Sequence, residues 1–108
     1  MKKTWATFNK YDVEILYVSP NNKRLDGAHG ITLFDSSEIL IANNMSDYML
    51  KRTLIHELMH FALYAYDMSA DNAEEEINIP TEEKLCYLME RAIPEIYEQA
   101  MSIYNYFK

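Results

Sequence analysis

The amino-acid sequence predicts an α+β fold, in which a small, mostly antiparallel sheet of about three strands precedes two or three helices. Alternating β-forming residues at positions 11–18 predict the first strand. Two shorter β-rich runs, at positions 31–34 and 38–42, flank a polar Asp-Ser-Ser turn and predict a hairpin. Long stretches with apolar residues at helical spacing follow only after Ser46.

The first helix is predicted over residues 47–66. Ser46 is a favourable N-cap, and the carboxylate of Asp47 in the first turn complements the helix dipole. Between Leu54 and Ala65 every residue except two histidines and one glutamate is apolar or aromatic. Such a helix is expected to be buried on all sides at the centre of the fold.

A second helix is predicted to begin at Thr81, which would cap it, and to kink or break at Pro94. The acidic stretch at positions 69–79 lacks periodicity and is interpreted as a loop. Beyond Pro94 the apolar residues recur on one face of a helix, and predict an amphipathic segment: Ile96, Ala100, Ile103, Tyr104 and Phe107.

Composition and charge exclude several classes of protein. The 108 residues suit one domain, spanning positions 1–108. A net charge of −7 argues against nucleic acid or an anionic membrane as a partner. Cys86 is the single cysteine, so no intrachain disulfide can form. The sequence has no signal-peptide core and no apolar run of membrane-spanning length, so a cytoplasmic protein is expected.

The chemistry of the chain is concentrated in the stretch His56-Glu57-Leu58-Met59-His60. Residues four apart lie one turn apart on one helix face, where two imidazoles can bind the same zinc ion. Glu57 lies about 100° round the helix and can act as general base without being a ligand. A metal would also compensate the cost of burying these polar groups. The alternative is a pair of core histidines bonded to the backbone, with Glu57 solvated.

A catalytic zinc usually has three protein ligands and an open position. The extended motif with a third histidine six residues after the second is excluded, because Tyr66 occupies that position. Helix phase places Glu82 within about 40° of the apolar face of the second helix and Glu83 about 140° away. Glu82 is therefore the predicted third ligand. His29 and Cys86 remain alternatives, although a substrate-side role suits His29 better and a core position suits Cys86 better.

The chain resembles the ImmA/IrrE-type metallopeptidases, in particular short single-domain versions from phages and mobile elements. The resemblance rests on the helix that contains His56-Glu57-Leu58-Met59-His60, on the hairpin before it and on the downstream Glu82. The resemblance covers approximately residues 30–89. It implies a zincin-like fold, a zinc ion held by His56, His60 and Glu82, and Glu57 as the catalytic base.

Two functions follow as hypotheses. The first is a zinc metalloendopeptidase, in which zinc activates water for attack on a peptide bond of a protein substrate and Glu57 transfers the proton. The substrate would add as a strand along residues 31–34 or 39–42. Tyr64, Tyr66, Tyr87 or His29 would donate a hydrogen bond to the oxyanion. The second is a non-catalytic, zinc-stabilised, phage-type protein that binds a host factor.

Overall fold

The computed structural model describes residues 1–66 and 81–108, with positions 81–88 and 91 described for their backbone only. The described part contains four β-strands, a short 3₁₀ helix over Lys23–Leu25 and two α-helices. The strands are β1 (Lys2–Phe8), β2 (Tyr11–Val18), β3 (Gly30–Leu33) and β4 (Glu38–Ala42). The helices are α1 (Asp47–Ala65) and α2 (Thr81–Phe107). The expected α+β class is confirmed at this level.

The four strands form one mixed sheet in the order β1-β2-β4-β3. The pairs β1–β2 and β3–β4 are antiparallel, as expected of hairpins, whereas β2 and β4 are parallel. A parallel pair needs a long connection. The segment between β2 and β4 provides it, and places β3 on the outer edge.

Strand β4 lies between two other strands, and both of its faces are buried. Ile39 and Ile41 pack towards the helices, while Leu40 and Ala42 join a smaller apolar cluster on the opposite face. An unbroken apolar run is typical of a strand that is covered on both sides. The prediction that residues 39–42 could offer a free edge to a substrate is therefore wrong, since β2 and β3 pair with both edges of β4.

Strand β1 is not among the three strands that the sequence predicted. Only Ala6 and Phe8 of this strand are buried, and the exposed Trp5 interrupts the alternation that marks a half-buried strand. The strand forms because it pairs along its whole length with β2, from Lys2 opposite Tyr17 onwards. This pairing is a tertiary effect that the weak local pattern does not predict.

The loop between β2 and β3 is fixed to the sheet at three points. Leu25 inserts into the smaller apolar cluster, and the guanidinium of Arg24 pairs with the carboxylate of Glu38. Hydrogen bonding from Ser36 and the charge and hydrogen bond of Arg24 lower the pKa of Glu38. The backbone carbonyl of His29 accepts a hydrogen bond from the amide of Ala42 at 2.9 Å. The loop therefore delivers His29 to the start of β3 in a defined position.

Helix α1 begins as predicted and ends one residue earlier, at Ala65. The hydroxyl of Ser46 accepts a hydrogen bond from the amide of Met49, which confirms the N-cap. The buried side of the helix packs against the sheet and against α2. Its buried residues are Leu50, Thr53, Leu54, Glu57, Leu58, Phe61, Ala62 and Ala65.

Helix α2 continues through Pro94, so the expectation of a break there is wrong. Pro94 lies on the exposed side, where water can bond the carbonyl of Glu90 that proline leaves without a donor. The predicted amphipathic stripe is confirmed: Ile96, Ala100, Ile103 and Phe107 are buried, and Tyr104 is half-buried. The predicted cap at Thr81 and the loop at positions 69–79 lie outside the described residues. No helix in the described ranges combines the length and apolar character needed to cross a membrane.

The two sides of α1 should respond differently to truncation. Leu58→Ala removes a side chain with 0% exposure and should lower the free energy of unfolding by about 2–5 kcal/mol. His60→Ala, on the exposed side, should change it by less than about 0.5 kcal/mol when metal is absent. Urea denaturation in a chelating buffer measures both values. Equal losses would show that the faces of α1 are wrongly assigned.

Candidate functional site

The exposed side of α1 carries a stripe of polar residues. Arg52, His56 and His60 follow one another at intervals of four residues, and all three are exposed. The side chain of His56 is 67% exposed. The expectation that both histidines are buried in the core is therefore wrong, although the predicted helical spacing is confirmed.

The two histidines face each other across one helical turn. Their Nε2 atoms are 3.2 Å apart, and their ring planes are inclined by 81°. Two nitrogens bound to one tetrahedral zinc ion lie about 3.3 Å apart, given Zn–N bonds of about 2.0–2.1 Å. An N–H···N hydrogen bond between neutral imidazoles would give a similar distance. The geometry therefore fits a metal, and metal titration separates the two cases.

Glu57 is the buried member of the motif, which corrects the alternative in which it is solvated. Its side chain is 9% exposed, and its Oε2 lies 3.9 Å from Nε2 of His56. Thr32 on β3 donates a hydrogen bond to Oε1 of Glu57 at 2.8 Å. A hydrogen bond to a buried carboxylate offsets part of its desolvation and fixes its rotamer. The carboxylate is thus held beside the histidine pair by a neighbouring strand.

Strand β3 reaches α1 because position 30 has no side chain. A Cβ atom on Gly30 would lie 2.8 Å from Cγ2 of Thr53 and 3.1 Å from Cγ of Glu57. The first distance is shorter than carbon atoms tolerate, so a side chain at position 30 would force either Thr53 or β3 to shift. Gly30 therefore sets the distance across which Thr32 reaches Glu57.

Two cavities meet at the histidine pair. The larger, of about 580 Å³, is lined by His29, Gly30, Met49, Arg52, Thr53, Ile55, His56, Glu57, Met59, His60 and Leu63. The smaller, of about 310 Å³, is lined by Gly30, Ile31, Thr32, Phe34, His56, Glu57 and His60. Because Gly30 and all three motif residues line both cavities, the pair lies midway along one cleft between β3 and α1.

Of the predicted oxyanion donors whose side chains the structure describes, only His29 lines the cleft. The hydroxyl of Tyr66 donates to Glu95 on α2 at 3.0 Å, and Tyr64 packs among Tyr11, Phe34 and Phe61. Neither tyrosine lines the cleft. His29 is exposed and lines the larger cavity, and its substrate-side role stays a prediction. The side chain of Tyr87 lies outside the described residues.

The third metal ligand stays a prediction. The side chains of Glu82, Glu83 and Cys86 lie outside the described residues. Within the described part of the chain, no group of three histidine, cysteine or acidic side chains is placed to hold a metal ion. His29 is therefore not brought together with His56 and His60 as a ligand set.

Comparison with protein-family models, curated proteins and solved structures found no match for this chain.

Sequence reasoning did not identify three residues of the cleft: Gly30, Thr32 and Arg52. Gly30 is one of only two glycines in the chain, and it stands where a strand begins, which is a sign of close backbone approach. Thr32 and Arg52 have no comparable local signal. A threonine in a strand and an arginine in a helix are both ordinary surface residues.

A double-mutant cycle tests the approach of β3 to α1. Gly30→Ala should lower the free energy of unfolding by about 1–3 kcal/mol, because the added Cβ meets the methyl group of Thr53. Thr53→Ser removes that methyl group. The loss of unfolding free energy in the double variant should be smaller than the sum of the two separate losses, because removing the methyl group relieves its clash with the added Cβ. Chemical denaturation of the four proteins gives the coupling, and strictly additive losses would contradict the contact.

Proposed function

We propose that this protein is a zinc-dependent endopeptidase whose catalytic base is Glu57 and whose zinc ligands include His56 and His60. The observation that supports the proposal best is the placement of Glu57. Its carboxylate is buried and bonded to Thr32, yet it lines the cleft and lies 3.9 Å from His56. A purely structural helix would gain nothing from a buried glutamate at this position.

The histidine pair fits a metal ion in both distance and exposure. The two Nε2 atoms are 3.2 Å apart, and both rings lie on the exposed side of α1 where an ion can enter from the cleft. Glu82 is the proposed third ligand, as the helix phase and the resemblance to ImmA/IrrE-type metallopeptidases suggest. Zinc bound there would polarise a peptide carbonyl and make water more acidic.

Glu57 would move the proton. Its Oε1 is occupied by the hydroxyl of Thr32, so Oε2 is the oxygen free to accept a proton from water in the cleft. The same carboxyl group can then donate that proton to the departing amine, as general base and general acid in turn. The side chain of Thr32 acts in positioning, because its hydroxyl holds the Glu57 carboxylate.

Strand β3 would hold the substrate. It is an edge strand of the sheet, and Ile31 and Thr32 line the smaller cavity opposite the histidines. An extended peptide can add to such an edge through main-chain hydrogen bonds, which bind without requiring particular side chains. Of the two edges predicted from the sequence, only this one is unpaired among the described strands.

The competing function is a non-catalytic protein that binds a host factor and uses zinc as a structural clip. A structural site is closed by a fourth protein ligand, whereas a catalytic site leaves a position open. The cleft in front of the histidine pair favours the catalytic case.

The purified protein should bind about one zinc ion per chain, and His60→Ala should abolish that binding. At a zinc concentration 100 times the dissociation constant, the metal should stabilise the fold by about 2.7 kcal/mol. Elemental analysis and denaturation with and without chelator measure the two effects. A wild-type protein that stays metal-free after reconstitution would contradict every function that uses zinc.

The third ligand is tested in the same titration. Glu82→Ala should weaken zinc binding by far more than Glu83→Ala, because the sequence periodicity predicts that only Glu82 faces the apolar side of the helix. The two variants lose the same charge one residue apart, so each controls for the other. Equal or reversed effects would show that the helix phase is wrong, and the largest loss in His29→Ala or Cys86→Ala would move the ligand there.

Glu57→Gln should separate peptidase from binding protein. The amide keeps an oxygen that can accept from Thr32, so the variant should fold and bind zinc as the wild type does. Without a base, proteolysis should fall by about 10²–10⁴-fold. Cleavage of unfolded protein substrates or peptide libraries, followed by mass spectrometry, measures this loss.

The matched control for Glu57→Gln is Glu98→Gln, which makes the same change at an exposed position of α2. Its activity should equal that of the wild type. If Glu57→Gln retains full biological effect while binding zinc, the peptidase proposal fails. The non-catalytic function is then the better account.

A further inference from the structure

Arg52 is a cation in the cleft that the proposed chemistry does not use. It is exposed, it lines the larger cavity and it lies one helical turn before His56. Its guanidinium carbon lies 5.6 Å from the ring centre of Tyr48, and no hydrogen bond joins its N–H groups to another described residue. Among the described residues, no carboxylate forms an ion pair with it.

The charge of Arg52 is unusual for its surroundings. The chain carries a net charge of −7, yet among the residues that the structure describes Arg52 is the only lysine or arginine that lines either of the two cavities. Other basic residues of the region are engaged elsewhere: the ammonium of Lys51 lies over the ring of Tyr104, and Arg24 pairs with Glu38. The free positive charge is therefore local to the cleft and would attract an anionic group there.

Apolar side chains surround this cation on the helix side of the cleft. Met49, Ile55, Met59 and Leu63 all line the larger cavity. Methionine side chains adapt to different apolar partners. A single guanidinium within an apolar wall suits a ligand with one carboxylate and neighbouring apolar side chains.

We propose that Arg52 selects the substrate by binding a carboxylate that lies near apolar residues in an extended peptide. This inference rests on the proposed peptidase function, and it adds the class of sequence that the cleft accepts. A guanidinium can bond both oxygens of one carboxylate, whereas a neutral or basic side chain at the same place would leave it without a partner.

The contacts of β3 with α1 give the position of that carboxylate in the peptide. Gly30 lies against Thr53 and Glu57, and Thr32 lies against Glu57, so β3 and α1 run in the same direction along the cleft. A peptide that adds to β3 in the antiparallel direction, which is the slightly more stable pairing, therefore runs from the smaller cavity towards Arg52. Arg52 is four residues, or about 6 Å, from His56, which corresponds to about two residues of extended chain. The acidic residue belongs on the carboxyl-terminal side of the cleaved bond.

The carboxylate could come from an aspartate or glutamate side chain or from the carboxyl terminus of a short peptide. Both present the same two oxygens to the guanidinium. Peptides with an internal glutamate and an amidated end, and peptides with a free end and no acidic side chain, distinguish the two sources. Either source supports the role of Arg52.

The test uses fluorescent peptides that differ only in having glutamate, glutamine or lysine about two residues after an apolar position. Binding is measured by anisotropy to the zinc-loaded full-length Glu57→Gln protein, which prevents turnover, and cleavage is measured with the wild type. The glutamate peptide should bind about tenfold more tightly than the glutamine peptide. Arg52→Gln should remove this preference, and Arg52→Glu should reverse it in favour of lysine.

Lys51→Gln is the matched control, because it removes the same charge one residue away without changing the cleft. It should retain the preference for glutamate. Equal losses in Lys51→Gln and Arg52→Gln, or equal binding of all peptides, would overturn the inference. So would an acidic preference on the amino-terminal side only. Selective binding of the glutamate peptide without any cleavage would reject the peptidase function and retain the role of Arg52 in binding. Cleavage that requires Glu57 but does not depend on peptide charge would support the peptidase function and reject the role of Arg52.

Discussion

The close approach of β3 to α1 is the constraint on which the candidate site depends. Gly30 has no Cβ, so the strand can lie against Thr53 and Glu57. Thr32, two residues later on the same face of the strand, then reaches the carboxylate of Glu57. One missing side chain and one hydroxyl thus determine where a buried acid points. The histidines need no such support, because helix geometry alone brings their nitrogens together.

Helix α1 serves as core and as site at once, and its two sides are stabilised by different interactions. Its buried side packs on the sheet and on α2, and this burial supplies most of the stability that positions the helix. The exposed side can then carry polar groups that would be costly to bury: Arg52, His56 and His60. Glu57 lies at the boundary, where it is covered by β3 and still reaches the cleft. This boundary position suits a base, which needs a fixed rotamer and access to water.

The two outer strands of the sheet differ in what contacts their outer edges, and the proposed substrate site uses only one of them. On β1 the side-chain amide of Gln99 accepts a hydrogen bond from the backbone N–H of Thr7 and donates one to its C=O. Those two bonds occupy groups through which another chain could pair with that edge. On β3, by contrast, Gly30, Ile31 and Thr32 line the cleft beside the histidine pair. An added strand at β3 would also pass Arg52.

The sequence by itself determined the features that depend on neighbours along the chain. The spacing of His56 and His60, the cap at Ser46, the hairpin of β3 and β4 and the apolar stripe of α2 all follow from local periodicity and turn chemistry. Only the tertiary structure decided which side of α1 is exposed, because its apolar residues surround the helix and do not define one face. It also decided the parallel β2–β4 pair and the contact of Thr32 with Glu57, 25 residues away in the chain. Such contacts depend on how whole elements pack, and no local pattern encodes that.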